Sequence, residues 1–289
     1  MINFLKYTWL YSLISALVIL SGIVSIVTFG FRYSIDFVGG TNLEYSISPV
    51  ATKDAVKKIV DGEKINYSSL EITKTGLFLK SKPMDEQQEL RLRTRLQRQL
   101  SAKVSIQRFE TVGPVLGRET LQKTLIASLL ATLGILAYMS FAFKGFNFAF
   151  AAILAMIHDF LVVIGTYSIF SRFFGAELDT MFVTAVLTTM SFSVHDTIVI
   201  FDKIREYFKY EGKGDIHHLA NKALTETMVR SLNNSMTIIF MLLALTLMGG
   251  ATIRFFVLTL LVGTVTGTYS SPFIATPILV WLEQRKKKS

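Results

Sequence analysis

Six stretches of this chain are apolar over the roughly 20 residues that a helix needs to cross the hydrocarbon core of a bilayer. They run about 9–29, 121–143, 147–170, 179–201, 229–249 and 253–282. Hydrophobic residues make up 51% of the 289 positions, and the mean hydropathy is +0.46, too apolar for an ordinary soluble domain. The expectation is an α-helical polytopic membrane protein with six transmembrane helices. The first stretch has too long an apolar core for a signal peptide, and "SIVTFGFR" offers no small-residue cleavage site, so it reads as a signal anchor. The last is too long for a straight span; Pro272 and Pro277 are expected to kink or break it.

Orientation follows from short basic segments. Lys6 precedes the first span, Lys144 lies in the turn between the second and third, "FDKIREYFKYEGKGDIHH" joins the fourth and fifth, and "EQRKKKS" ends the chain. All fall on one side if the helices alternate, which makes that side and both termini cytoplasmic. The net charge of +9 is then explained by loops and tails and does not require nucleic acid.

Residues 30–120 read as a small extracytoplasmic domain between a first helix at 1–29 and a five-helix region at 121–289, the latter carrying a cytoplasmic loop at 202–228. "NLEYSIS" alternates Leu43, Tyr45 and Ile47 as a strand does, and "TKDAVKKIVDG" has a candidate cap at Thr52 and a terminal Gly62. "LEITKTGLFLK" suggests a hairpin around Thr75 and Gly76. "DEQQELRLRTRLQRQL" places acids first and bases later, with Leu92, Leu96 and Leu100 on one helical face. "KVSIQRFETV" closes as a strand. The order β-α-β-β-α-β is that of an α+β, ferredoxin-like fold.

Polar residues inside the spans are the candidate functional groups, because charge in hydrocarbon costs about 2.5–3.5 kcal/mol on insertion scales. The fourth span carries Thr189, Ser193 and Asp196 on one face, and the fifth carries Arg230, Asn233, Asn234 and Thr237 on another. Consecutive antiparallel helices bring Asp196 and Arg230 to similar depth, so an Asp–Arg pair is expected. Two readings stay open: a structural salt bridge, and a proton site whose carboxylate is held ionised by the arginine and takes up a proton when that contact weakens. His158 and Asp159 repeat the "HD" dipeptide of His195 and Asp196 in the preceding span. Adjacent residues stand about 100° apart on a helix, so neither pair is expected to act as one cluster. His195, Asp159 and His158 are candidate relay or supporting groups, alongside Ser193, Thr189, Asn233 and Asn234. Gly263 and Gly267 form a small-xxx-small pattern suited to close helix packing.

The chain has no cysteine and four histidines without convergent spacing, which argues against disulfides, thiol chemistry and a metal centre. No nucleotide-binding loop or hydrolytic triad motif is present, so neither an enzyme nor a cofactor is expected.

Several ordered motifs resemble the SecF family of the bacterial SecDF protein-export complex, within the resistance-nodulation-division superfamily. They are "YSIDFVGGTNLEY", "VGPVLGRE", "SFSVHDTIVIFDKIRE", "ALTETMVRSLNNS" and "VGTVTGTYSSPFIA", spread over nearly the whole chain. The resemblance implies a subunit that pairs with SecD and assists late translocation through SecYEG, with SecA acting from the cytoplasm and energy drawn from the proton gradient. It implies the translocating polypeptide and YajC as further partners, and an inner-membrane location. It assigns the proton-coupling roles to Asp196 and Arg230, with another aspartate supplied by SecD. The family residue before the fourth-helix aspartate is commonly Asn, and here it is His195. The rival readings are a half-transporter for lipid or drug, and a translocon scaffold that transports nothing.

Overall fold

A computed structural model of the chain describes residues 3–49, 51–72, 76–143, 145–212 and 214–288. Lys144 and Thr75 lie outside the described residues. In order, the elements are α1 (Thr8–Phe29), β1 (Arg32–Tyr33), α2 (Ile35–Val38), β2 (Gly40–Ser48), α3 (Lys53–Gly62), β3 (Tyr67–Ile72), β4 (Leu77–Ser81), α4 (Glu86–Leu100) and β5 (Lys103–Val112). There follow α5 (Pro114–Ala142), α6 (Phe146–Phe174), β6 (Glu177–Leu178), α7 (Thr180–Tyr210), α8 (Ile216–Met248), α9 (Arg254–Ser270), a π turn (Ser271–Ala275) and α10 (Thr276–Lys288). The chain divides into two compact units, Tyr33–Ile126, and Met1–Arg32 with Ala127–Ser289.

The unit Tyr33–Ile126 contains a four-stranded antiparallel sheet in the order β3-β4-β2-β5. That order, with α3 and α4 as the two crossovers, is the ferredoxin-like arrangement. Alternation in β2 sends Leu43, Tyr45 and Ile47 inward, where they meet Val56, Ile59 and Val60 of α3 and Leu92 and Leu96 of α4. Helix α4 starts with a capping box: Asp85 accepts from the Gln88 backbone at 2.7 Å, and the Gln88 side chain returns the bond at 3.0 Å. Thr52 occupies the N-cap position of α3, but its hydroxyl makes no capping bond. One charge enters this core. Glu89 accepts from the Tyr45 hydroxyl at 2.7 Å and pairs with Arg93 at 3.3 Å. Burial, reinforced by that acidic partner, pushes the Tyr45 phenol far above its usual range.

Six helical segments among the described residues are long and apolar enough to cross a membrane: Phe4–Phe29, Pro114–Ala142, Phe146–Phe174, Thr180–Tyr210, Ile216–Met248 and Arg254–Lys286. The protein is an α-helical polytopic membrane protein. In the helical unit, α6, α7 and the last span form the packed centre, each with half or more of its most apolar window buried, against 17% for α1 and α8. Phe201 of α7 takes Phe143 and Phe148 edge-on at 5.4 and 5.5 Å within that centre. Close approach of α1 and α6 occurs at Gly22 and Gly165. A Cβ on either would lie 2.7 Å from the other's Cα.

One expectation about helix ends needs correction. The segment 202–228 is not a loop. Helix α7 continues to Tyr210 and α8 begins at Ile216, because charged side chains one turn apart pair along the helices and sustain them outside an apolar run. Arg205 meets Asp202 at 2.5 Å, Lys203 meets Glu206 at 3.1 Å, and Lys203 also reaches Glu226 at 3.3 Å. The last span is distorted at its prolines, as expected: the α-helix stops at Ser270 and resumes at Thr276. Pro272 lies inside the π turn, where i→i−5 spacing replaces the α ladder, and Pro277 follows directly as the second residue of α10.

Residues 34–113 expressed alone are expected to give the circular dichroism of a folded α+β domain. Leu96→Ala is expected to lower its urea-unfolding free energy by about 2–5 kcal/mol, since Leu96 is fully buried. A disordered or wholly helical spectrum would count against independent folding.

Candidate functional site

Helix α7 crosses α9 where side chains are smallest. A Cβ at Gly263 would lie 2.2 Å from the Thr189 methyl, and one at Gly267 would lie 3.0 Å from the Ser193 Cα. Only glycine at 263 allows this separation, and it brings the polar face of α7 directly onto α9. Two buried carboxylates flank the crossing, Asp159 on α6 and Asp196 on α7 itself.

Asp196 faces α8. Its Oδ2 accepts from Ser231 Oγ at 2.9 Å and, at the limit of bonding, from Ser235 Oγ at 3.5 Å. These serines are four residues apart and share one helical face. Beside the carboxylate lies a cavity of about 20 Å³, lined by His195, Asn234, Ser235, Thr264 and Thr268 among others. That is room for about one water, with polar groups to hold it.

The expected Asp196–Arg230 pair is not formed here. Arg230 immediately precedes Ser231, and the 100° step between neighbours turns it away from α7. Its side chain is exposed, and among the described residues it makes no ion pair or hydrogen bond. Asn233, Asn234 and Thr237 are exposed as well, so Arg230, Asn233, Asn234 and Thr237 form an outward polar stripe at i, i+3, i+4 and i+7 along the middle of α8. Since Ser231 reaches Asp196, the neighbouring Arg230 lies at a similar level of its helix; the angular positions differ.

The two HD dipeptides behave differently. His195 is exposed while Asp196 is buried, so those side chains diverge. His158 instead swings onto its neighbour, with Nδ1 2.8 Å from Asp159 Oδ1, against the expectation that adjacent residues would not cluster. The other oxygen of Asp159 accepts from Ser193 Oγ of α7 and from Ser270 Oγ of α9, the latter at 2.6 Å. Further along α7, the Thr197 hydroxyl lies 2.9 Å from that of Ser271 at the start of the π turn, and Thr197 also donates to the Ser193 carbonyl. Thr189 donates to its own helix at Val186 and meets α9 through its methyl group.

Sequence reasoning missed Ser231, Ser235, Ser270, Ser271 and Thr197. A signal was available: paired hydroxyls at i, i+4 in α7 and α8, and adjacent serines before Pro272. Among the described residues no three His, Asp or Glu side chains converge as metal ligands would.

Residues 93–285 match the family described as "Protein export membrane protein SecD/SecF, C-terminal", and residues 24–49 match the "SecD/SecF GG Motif". The chain is 38% identical to the protein translocase subunit SecF of Thermobaculum terrenum, covering 99% of this chain and 95% of that one. Identity to the corresponding subunit of Anaerolinea thermophila is 37%, over 97% of this chain and 94% of the relative. The crystal structure of SecDF, a translocon-associated membrane protein from Thermus thermophilus, superposes with a TM-score of 0.82 at 29% identity. That match covers 97% of this chain and 39% of the SecDF chain.

Gly263→Ala is expected to force α7 and α9 apart and lower thermal stability in detergent by about 1–3 kcal/mol. Adding Thr189→Gly is expected to recover part of the loss, because it removes the atoms that the new methyl would meet. Equal stability of parent and Gly263→Ala would show that the crossing tolerates a wider spacing.

Proposed function

The chain belongs to the SecD/SecF family of protein-export membrane proteins, and from that membership we propose that it serves as the SecF half of a SecD–SecF pair, assisting Sec-dependent translocation at the expense of the proton gradient. The role is transport, in keeping with relatives named as translocase subunits. The observation that carries the reading is the outward polar stripe of α8. Arg230 stands at the start of the apolar run 229–249, and Asn233, Asn234 and Thr237 carry its polar stripe deeper into the span, where unpartnered polar groups facing lipid are costly. Lipid tails offer them no partner, whereas a second protein subunit can. The SecDF structure has more than twice this chain's matched length, which leaves room in that protein for such a half.

In this reading Asp196 is the proton-binding group and Arg230 the cation that acts with it. Contact between them would be made in another state of the cycle or through a group of the partner subunit. The one-water cavity beside Asp196 gives a proton a place to arrive. His195, Asn234 and Ser235 surround that cavity, and Asn233 extends the stripe that faces the partner. Each elementary charge that crosses the field yields about 2.3 kcal/mol per 100 mV, enough to bias a two-state element by about 50-fold. The unit Tyr33–Ile126 would lie outside the inner membrane, both termini would be cytoplasmic, and SecYEG with its emerging polypeptide would be the client.

Asp196→Asn is expected to leave the SecD-containing complex assembled and to abolish gradient-dependent export, measured on inverted vesicles with and without an uncoupler. Arg230→Met is expected to do the same. Normal gradient-dependent export by an assembled Asp196→Asn complex would overturn the proton role and leave the scaffold reading.

For topology, cysteines placed at the exposed Ser68 and Glu211 are expected to differ in intact cells. An impermeant thiol reagent should label the first and not the second; the opposite pattern would invert the orientation.

A further inference from the structure

Asp159 gathers three helices at one point. Nδ1 of His158 on α6 lies 2.8 Å from Oδ1, while hydroxyls from α7 and α9 both donate to the same carboxyl oxygen, Oδ2. The carboxylate is 3% exposed, so no contact with solvent substitutes for these bonds. The Nε2 atom of His158 is buried and has no hydrogen-bond partner among the described residues, so the imidazole interacts through Nδ1 alone.

Each of the two serines stands one turn or less from something that matters to Asp196. Ser193 precedes Asp196 by three residues on α7, and a helix transmits rotation rigidly over one turn. Ser270 follows Gly267 by three residues, and Gly267 is the residue that packs on Ser193. The glycine contacts set the distance between α7 and α9. They present no directional bond, and so do little to oppose rotation of α7 about its own axis. The hydroxyl bonds to Asp159, together with the Thr197–Ser271 contact, supply that restraint.

The geometry points to Asp159 as a positioning residue for the proton-coupling carboxylate: by holding Ser193 and Ser270 on one oxygen, it fixes the rotation of α7 and therefore where Asp196 meets Ser231 and Ser235. This rests on the proton-coupling reading of Asp196. The leverage is large. A side-chain tip lies about 5–6 Å from a helix axis, so a 20° rotation moves it by about 2 Å. The Ser231 bond is 2.9 Å long and the Ser235 contact is already at 3.5 Å, so such a shift breaks both. Asp196 would lose the donors that stabilise its ionised form, and its proton affinity would change.

The other groups that bear on Asp196 are few. His195 adjoins it on α7 and lines the same cavity, Arg230 adjoins Ser231 on α8 but points outward, and α9 contributes to the cavity only the uncharged Thr264, Gly267 and Thr268. On the Asp159 side, His158 belongs to α6, and the nearest titratable group of α9 is Tyr269, whose ring centre lies 6.4 Å from that of His158.

The test is a pH titration of the reconstituted complex by infrared difference spectroscopy, reading the carboxyl band that disappears in Asp196→Asn. The decisive variant is Ser193→Ala with Ser270→Ala, which keeps the Asp159 carboxyl and removes its hold on α7 and α9. Its Asp196 midpoint is expected to move by about one pH unit or more, a tenfold change in proton affinity. Asp159→Leu is expected to move it too, and Ser270→Thr, which retains the hydroxyl, to leave it at the parental value. An unmoved midpoint in the double serine variant overturns the proposal, including the case where Asp159→Leu alone shifts it, since that is an effect of charge and not of position. Failure of Asp159→Leu to assemble leaves the serine variant to decide. Absence of an Asp196 band in the parental complex overturns both this role and the proton-coupling reading. A band that titrates but does not move overturns this one alone.

Discussion

A polar group in hydrocarbon has no water to turn to, and the helical unit is arranged around that constraint. Among the described residues, no Lys or Arg pairs with either of its two buried carboxylates, and one of them, Asp159, also meets His158. Both are solvated by hydroxyls: Ser193 and Ser270 on one, Ser231 and Ser235 on the other. Hydroxyls suit this purpose because they are small enough to sit in a close helix crossing and can turn back to their own helix when a partner leaves. Thr197 does so already, donating to Ser193 O while it also meets Ser271. A carboxylate held in this way is stabilised without being locked, as a fixed salt bridge would lock it.

The same constraint explains how the helices divide. Where a polar face is buried within the chain, as on α7, each group finds a partner. Where it is not, as on α8, the stripe from Arg230 to Thr237 stays open, and the apolar surfaces of α1 and α5 are open as well. Lipid can cover the apolar surfaces. It cannot satisfy the stripe.

Much of the architecture was legible in the sequence because its periods are strong. Runs of about 20 apolar residues gave the six spans, and two-residue alternation with leucines at four-residue spacing gave the α+β unit. Helix ends were harder to read, since α7 and α8 run on through charged turns where hydropathy falls while i,i+3 ion pairs keep the helix intact. At the site, depth could be read and angle could not. Asp196 and Arg230 lie at corresponding levels, but one residue of phase separates Ser231, which faces Asp196, from Arg230, which faces out. The serines themselves escaped notice because a hydroxyl scarcely changes hydropathy and becomes informative only when a carboxylate is found opposite. The contact between His158 and Asp159 was misjudged for a related reason: backbone geometry separates neighbours by 100°, yet a flexible imidazole can span that gap.

The extension of α7 and α8 past their apolar runs makes them lever arms. From Asp196 to Tyr210 is fourteen residues, about 21 Å of helix. A 10° tilt pivoting at the carboxylate would carry the tip through about 4 Å, roughly the diameter of a methyl group. Ion pairs between the two arms, Lys203 with Glu226 and Lys222 with Glu211, tie the tips so that they swing together. An adjustment small enough to preserve the packing around Asp196 would thus be magnified several-fold at the far ends of the two helices.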